Sequence, residues 1–430
     1  MEPMALLLLL LMLGLIFLSV PVPYAIGFSS IVVLLNTFRQ TPLVLVQRTF
    51  SGLSGFTTLA IPLFILTAEI MNISGITDKL VQCCYAIVGR IRGGIAHVNV
   101  LVSMIFAGIS GSSSADTAGI GGILIPAMIK KGYAPDFTIA VTAASSTLGE
   151  IIPPSIIAVI YAATVGISVG ALFLAGLSAG VIIGLVMMLI SYVYALKYGY
   201  PREAKMGIKK ALHTIWVALP PLGTPIILIG GITAGFFTPT EAAVVACVYS
   251  LILAACYRSL TLKALWGAVK KTAALTSATT MCIGIAMVFS YMMSVYHVPD
   301  AVKGMVLSVA DSELPFLLIT FVIFMIVGCF MDATPAIIML APILAPIGMA
   351  LGVNMIHMGV VVVVTLSLGL ITPPFGLCLL LACKIGHTPL QKVMKPTLVF
   401  TAAVVAIILL IIFVPQIVLW IPQTFAPNMM

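Results

Sequence analysis

Of 430 residues, 62% are hydrophobic and only 7% are charged, and the mean hydropathy is +1.26. So little polar surface excludes a water-soluble domain of this length and makes the chain a polytopic α-helical membrane protein. The net charge of +8 does not point to nucleic acid, because the basic residues sit in short segments between apolar runs instead of along one face.

Apolar segments fall at 4–20, 24–36, 57–75, 98–129, 135–165 and 170–195, and again at 211–232, 240–256, 273–297, 314–350, 356–385 and 396–421. The first has no basic leader and no small-x-small site before Pro21, so it reads as a retained helix and not a signal peptide. Segments 39–55 and 258–276 are less apolar and carry Arg39, Arg48, Lys263, Trp266, Lys270 and Lys271; helices lying along the interface and plain loops fit them equally. Eight cysteines show no CxxC or CxxH spacing and read as thiols buried between helices. The Met287–Met293 run reads as core, and Thr238-Pro239-Thr240-Glu241 as a capped helix start.

Within the 98–129 segment, Ile109 to Asp116 is a run of small polar residues ending in a carboxylate. The apolar stretches beside it, Val98 to Gly108 and Ala118 to Ile129, are each shorter than the roughly 20 helical residues a hydrocarbon core requires. Two half-length helices meeting at such a turn make a re-entrant hairpin, and its exposed backbone survives at membrane depth only inside protein or beside water. The opposing element is Leu148-Gly149-Glu150-Ile151-Ile152-Pro153-Pro154-Ser155, where successive prolines remove amide donors and free carbonyls about a turn earlier.

The second list of segments repeats the first at a shift of 216–222 residues: Asp116 falls on Asp332, Pro126 on Pro342, Gly149 on Gly369, Pro153-Pro154 on Pro373-Pro374, and Asp78 on Asp300. The halves are 1–196 (hairpin 98–129, broken helix 135–165) and 211–430 (hairpin 314–350, broken helix 356–385), joined by a basic linker at 197–210. Each holds five crossings and one hairpin, and an odd number of crossings inverts the second copy in the membrane. Placing the linker in the cytoplasm puts 17 of the 20 Lys and Arg residues inside, leaving only Arg39, Arg48 and Lys303 outside. Two hairpin tips then converge from opposite sides, as in inverted-repeat secondary transporters. Hydroxyls and freed carbonyls at the tips and breaks are the hard oxygen ligands that alkali cations accept.

Four carboxylates, Glu69, Asp116, Glu150 and Asp332, lie at apparent membrane depth, where a charge costs about 2.5–3.5 kcal/mol on insertion scales. Asp116 and Asp332 are expected to cap the second arm of each hairpin, with direct ion ligation the competing role. Glu150 is the candidate for tuning ion binding or carrying a proton, and Glu69 is expected to pair with a neighbouring helix. No nucleotide loop, metal pair of histidines or nucleophile–base set is present, which argues against an ATPase and an enzyme. A channel fits poorly, because the hairpins are paired across a repeat and not ringed around a pore.

Several stretches together resemble the large membrane subunit of the tripartite ATP-independent periplasmic (TRAP) transporters. They are Ile61 to Ile65, Gly89 to Gly94, Ser110 to Ala115, Pro126 to Tyr133, Ile151 to Ser155, Phe237 to Ala243 and Thr372 to Gly376. The resemblance implies an all-α, inverted-repeat, elevator-type importer with scaffold and transport domains. It would lie in the bacterial inner membrane and take up a small organic anion (carboxylate, sialic acid or sulfonate) with Na⁺. A small four-helix membrane subunit and a periplasmic substrate-binding protein are the implied partners. Carried over by motif, one Na⁺ site would use Ser110, Gly149, Ile152 and Pro154, and the other Gly328, Gly369, Thr372 and Phe375, mostly through backbone carbonyls. Solute between the tips would meet Ser112, Ser113, Ser114 and Asp116 from the first, Asp332 and Thr334 from the second, and Thr365 near the second break. Thr365 stands where the family often has Asn, and Ser178-Ala179-Gly180 replaces a common Pro-Gly. The alternative is a free-standing ion-coupled anion transporter that needs no binding protein.

Overall fold

The computed structural model describes residues 3–18, 20–37, 43–203, 207–298, 304, 312–374 and 376–429. Among them all regular structure is helical. The first half comprises α1 (Pro3–Phe17), α2 (Val22–Thr37), α3 (Leu43–Leu53), α4 (Ala60–Ile73), α5 (Ile76–Val88), α6 (Gly94–Ser110), α7 (Ser113–Lys130), α8 (Pro135–Ser146), α9 (Ile156–Val165) and α10 (Val169–Tyr198). The second comprises α11 (Ile208–Thr233), α12 (Pro239–Cys256), α13 (Leu262–Val295), α14 (Glu313–Gly328), α15 (Ala333–Ala350), α16 (Met355–Gly369), α17 (Leu377–Ile385), α18 (Leu390–Phe413) and α19 (Gln416–Phe425).

Six described helices are long and apolar enough to cross a membrane, one of them the hairpin arm α15, and α4 with α5, bent by 75°, adds a seventh if the pair counts as one span. The remaining expected crossings are α1 and α2, of 15 and 16 residues, and the two interrupted helices α8/α9 and α16/α17. Both breaks carry a cis bond, Pro153–Pro154 and Pro373–Pro374.

Three expectations change. The arms of the first hairpin are 17 and 18 residues long, not a dozen, because the first already begins at Gly94 and runs on to Ser110, and the second, capped by Ser112, takes 113–117 into its first turns. Segment 258–276 is no separate interfacial helix: from Leu262 it runs unbroken into the following crossing as α13, 34 residues and about 51 Å long. The amphipathic α3 packs on the later part of α13, where a Cβ on Gly52 would collide with the Met287 side chain and one on Gly284 would lie 3.0 Å from the Thr49 side chain. Of the cysteines, Cys256 is exposed and Cys282 and Cys329 are half-buried.

Other expectations hold. Met292 and Met293 are core, packed with Leu8, Ile26 and Phe289. Thr238 and Glu241 form a reciprocal capping box at the start of α12, with the Thr238 N–H donating to Glu241 Oε2 at 2.7 Å.

Helix α4 packs on α12 and α13, and α11 on α12, while α6 to α9 and α14 to α17 form a second body that α13 also contacts through α15. The packing in that body is crossed. The second arm of each hairpin is covered by the outer half of the other copy's broken helix: α17 lies on α7, and α9 lies on α15. Close approach makes this possible. A Cβ on Gly386, just past α17, would lie 2.6 Å from the Ile139 side chain of α8, and one on Gly359 of α16 would lie 2.7 Å from the buried ring of Tyr161 on α9.

Candidate functional site

The first tip is short. Gly111 ends α6 at φ +61°, a left-handed conformation that glycine adopts without penalty. Ser112 is extended, and its hydroxyl accepts from the Ala115 N–H at 3.5 Å to cap α7. Ser113 and Ser114 therefore form the first turn of α7. Ser113 is buried and donates to the Thr147 carbonyl at 3.4 Å, while the Ser112 and Ser114 hydroxyls lie 3.1 Å apart. Asp116 does not cap the helix, since Ser112 holds that place. Fully buried, it accepts the Ser110 hydroxyl at 2.5 Å, and its Oδ2 has no partner among the described residues.

At the first break a 3₁₀ turn, Thr147–Glu150, replaces the α-helix. The Ile151 and Ile152 N–H groups both donate to the Leu148 carbonyl, at 3.0 and 2.9 Å. Ser155 donates to the Glu150 carbonyl at 2.5 Å and accepts from the Ala158 N–H at 3.1 Å, capping α9. The carbonyls of Ile152 and Pro154 accept no hydrogen bond among the described residues. Tip and break touch through backbone. A Cβ on Gly149 would lie 3.0 Å from the Ser112 carbonyl and the Ser113 nitrogen, and one on Gly111 would collide with the Pro154 carbonyl oxygen. From behind, the small residues of α10 admit the break: a Cβ on Gly176 would lie 2.8 Å from the Ile151 carbonyl oxygen, and one on Gly180 would collide with the Ile152 side chain. That packing accounts for the Ser178-Ala179-Gly180 stretch.

The second copy repeats the plan. Here α14 ends at Gly328, and Asp332 takes the N-cap position of α15 with its carboxylate making no capping bond. The Thr372 N–H donates to the Gly369 carbonyl at 3.1 Å and its hydroxyl to Leu368 at 2.9 Å. A Cβ on Gly369 would collide with the Gly328 carbonyl, so this tip and break also meet backbone to backbone. Phe375 and Asp300 lie outside the described residues.

Helix caps also set the register of the duplication. Ser112 and Asp332 are both N-caps and lie 220 residues apart, the same shift that relates Gly149 to Gly369. Asp116 is thus not the counterpart of Asp332: Ser112 is. By the same shift Ser114 matches Thr334, Pro126 matches Pro346, and Glu150 matches Leu370.

Both pairs border one cavity of about 430 Å³. The first tip contributes Ser110, Gly111, Ser112 and Ser114, the second Asp332 and Thr334, and the breaks Glu150 and Leu370. Ser113 and Asp116 stand behind this wall. Thr365 is away from it, fully buried in α16 with its hydroxyl donating to the Val361 carbonyl at 2.6 Å. The facing wall is α4 and α13, with Ala68, Glu69, Leu275 and Thr279. Glu69 is 7% exposed and accepts from Lys271 Nζ of α13 at 2.6 Å, so it does pair with a neighbouring helix while also lining the cavity. Thr279 was not expected here; the small polar cluster Thr276 to Thr280 inside an apolar segment is the signal that marks it.

With the geometry in place, comparison with known proteins is decisive. Residues 9–417 match the family model of the tripartite ATP-independent periplasmic transporter, DctM component. The chain belongs to this family. DctM-family relatives align with it nearly end to end. The large permease protein SiaM of a sialic acid TRAP transporter from Vibrio cholerae is 33% identical over 96% of this chain and 97% of its own length. The large permease protein DctM of a C4-dicarboxylate TRAP transporter from Pseudomonas aeruginosa is 35% identical over 93% and 94%. An uncharacterized Salmonella typhimurium protein, YgiK, is 39% identical over 95% of each chain. Among solved structures, the YdaH transporter of Alcanivorax borkumensis superposes with a TM-score of 0.62 over 86% of each chain at 16% identity, which bears on the fold alone. The DctM-family chain is accordingly a multi-pass inner-membrane transport permease and not an enzyme.

Proposed function

We propose that this permease imports a small organic anion by secondary active transport, driven by Na⁺ and delivered by a periplasmic binding protein. The observation that carries the reading is the meeting of two hairpin tips with two proline breaks around one cavity. Relatives named for sialic acid and C4-dicarboxylate transport support the solute class. The word tripartite in the family description supports two further components, a small four-helix membrane subunit and the binding protein, over a single-component transporter.

In this reading Na⁺ is co-substrate. Ser110, Gly149, Ile152 and Pro154 would hold one ion, and Gly328, Gly369 and Thr372 the other, with Phe375 completing the second set. What supports this is the chemistry of the donors: backbone carbonyls without hydrogen-bond partners at Ile152 and Pro154, and glycines that let each tip close on its break. Such carbonyl cages coordinate Na⁺ in transporters built from broken helices. Each net positive charge moved inward gains about 2.3 kcal/mol per 100 mV. Two Na⁺ with a monovalent anion would therefore draw on membrane potential as well as on the gradient. The body holding α6–α9 and α14–α17 would slide against α4 and α11–α13, carrying the cavity across as an elevator.

The test is solute uptake into proteoliposomes holding the permease and its small subunit, with binding protein outside. Uptake should need an inward Na⁺ gradient; uptake indifferent to it would remove the coupling. Inverted orientation of the halves is tested by labelling cysteines placed at Lys130 and Ser312, which should react from opposite faces.

A further inference from the structure

Three helices carry the tip cavity onward in one direction. On α4, Ile65 and Glu69 border the cavity, and Asn72, about one turn on, borders a second space of about 370 Å³. On α7, Ala115 borders both spaces, and Ala118, Gly119 and Ile123 follow it along the second. On α13, Thr279 and Leu275 border the cavity and Lys271 the second space, a spacing of four that keeps all three on one helix face. Eight residues on α7 and eight on α13 each cover about 12 Å. Both run toward the basic base of the hairpin and the basic start of α13, the side that the charge distribution assigns to the cytoplasm. Behind, α7 is backed by α6, α8 and α17; a groove, not packing, separates it from α4, α5 and α13.

Resting on the transport reading, this groove is the way out for an anion, and its charges are unequal. Glu69, Glu150 and Asp332 border the cavity and Asp78 the groove, while Lys271 is the one cation bordering either space among the described residues. Its Nζ donates to Glu69 Oε1 at 2.6 Å, and its side chain is 60% exposed. An ammonium has three donors, so Lys271 can keep Glu69 and still receive a second acceptor. Since α4 packs on α13, the pair belongs to the wall and need not break when the tips move past it.

The duplication shows that packing does not require this pair. At a shift of 220 residues α3 matches the start of α13, and the later part of α13 matches α4, so Lys271 falls on Ser51 and Glu69 on Phe289. The first copy's α3 packs on α13 all the same. The charge is present on one side only, where solute would leave.

We propose that Lys271 receives the acid group of the departing solute in the α7 groove, with Glu69 as the positioning residue that holds its ammonium there.

The test labels Ala118→Cys in the purified permease with its small subunit, read at that position by peptide mass. Two probes of similar shape and opposite charge are compared, sulfonatoethyl and trimethylammonioethyl methanethiosulfonate. Lys271→Met should lower the ratio of anionic to cationic labelling rates about fivefold, Lys271→Arg should hold it within about twofold, and Glu69→Gln should raise it. At Lys130→Cys, about 18 Å further along α7, Lys271→Met should leave the ratio unchanged, because that is about two screening lengths away. An unchanged ratio at Ala118→Cys in Lys271→Met overturns the inference. So does a shift of the same sign in Lys271→Met and Glu69→Gln, which would mean that the pair only props the wall. In proteoliposomes, succinate and N-acetylneuraminate are offered, and Lys271→Met should slow Na⁺-driven uptake of the acid that the unaltered permease carries by about tenfold, with Lys271→Arg recovering most of it. Full-rate uptake by Lys271→Met overturns the inference while leaving the transport reading intact. Uptake by the unaltered permease without regard to Na⁺ would instead count against the coupling, and the labelling, which needs no gradient, would still decide the role of Lys271.

Discussion

Gly149→Ala tests the tip–break contact most directly. Its backbone lies in the 3₁₀ turn 147–150, so a methyl group adds no left-handed strain and acts only by contact. That methyl would stand 3.0 Å from three backbone atoms of Ser112 and Ser113, where ordinary contact begins at 3.4 Å. Tip and break must separate by about 0.4 Å, and overpacking of this kind costs about 1–3 kcal/mol. If the cost falls on the ion-bound arrangement, apparent Na⁺ affinity drops about 5- to 150-fold. The assay is the Na⁺ dependence of thermal stability and of uptake, compared with Gly122→Ala on α7, the hairpin arm whose start faces Gly149. The added methyl of Gly122→Ala has nothing within 4 Å and should leave Na⁺ dependence unchanged. An unaltered Na⁺ response in Gly149→Ala, or an equal loss in Gly122→Ala, would refute the idea that ion binding depends on this contact.

Ser110→Ala removes the hydroxyl that Asp116 accepts and should destabilise by about 1–3 kcal/mol, with Asp116→Asn in the same chain recovering part of the loss in thermal unfolding. Lys271→Met leaves the nearly buried Glu69 unpaired. A double-mutant cycle with Glu69→Gln should show the two changes to be strongly non-additive, and independent effects would mean that the ion pair contributes nothing. Thr238→Ala dismantles the capping box of α12 and should cost about 1 kcal/mol, read as a lower unfolding midpoint with no change in Na⁺ affinity.

Most of the site could be read before any coordinates, because its chemistry is spelled by residues that are costly elsewhere in an apolar chain. Prolines in pairs, serines in a row and lone carboxylates stand out against Leu and Val, and the duplication points to the same stretches twice. What the sequence misplaced was local. Asp116 looked like a cap because a carboxylate near a helix start often is one, yet Ser112 reached the backbone first and left Asp116 to Ser110. Matching the two aspartates then shifted the hairpins by four residues against the 220-residue shift of the breaks, and the cap geometry resolves the conflict in favour of 220. Thr365 sits at a suggestive position in sequence but turns its hydroxyl to its own helix, as a threonine can when no partner lies opposite. The wall made by α4 and α13 depends on contacts between distant segments, for which a single chain carries almost no local signal.

The exchange of helices between the copies has a consequence for how such a protein could arise and be divided. Because α17 shields the arm of the first hairpin and α9 that of the second, neither half is a finished unit, and a lone ancestor would have left that flank bare. A second copy of itself, inserted the other way up, is the cover that fits. Fusion at the basic linker would then have turned a dimer's interface into an interior, leaving each copy free to drift at positions such as 150 and 370 while still depending on its twin.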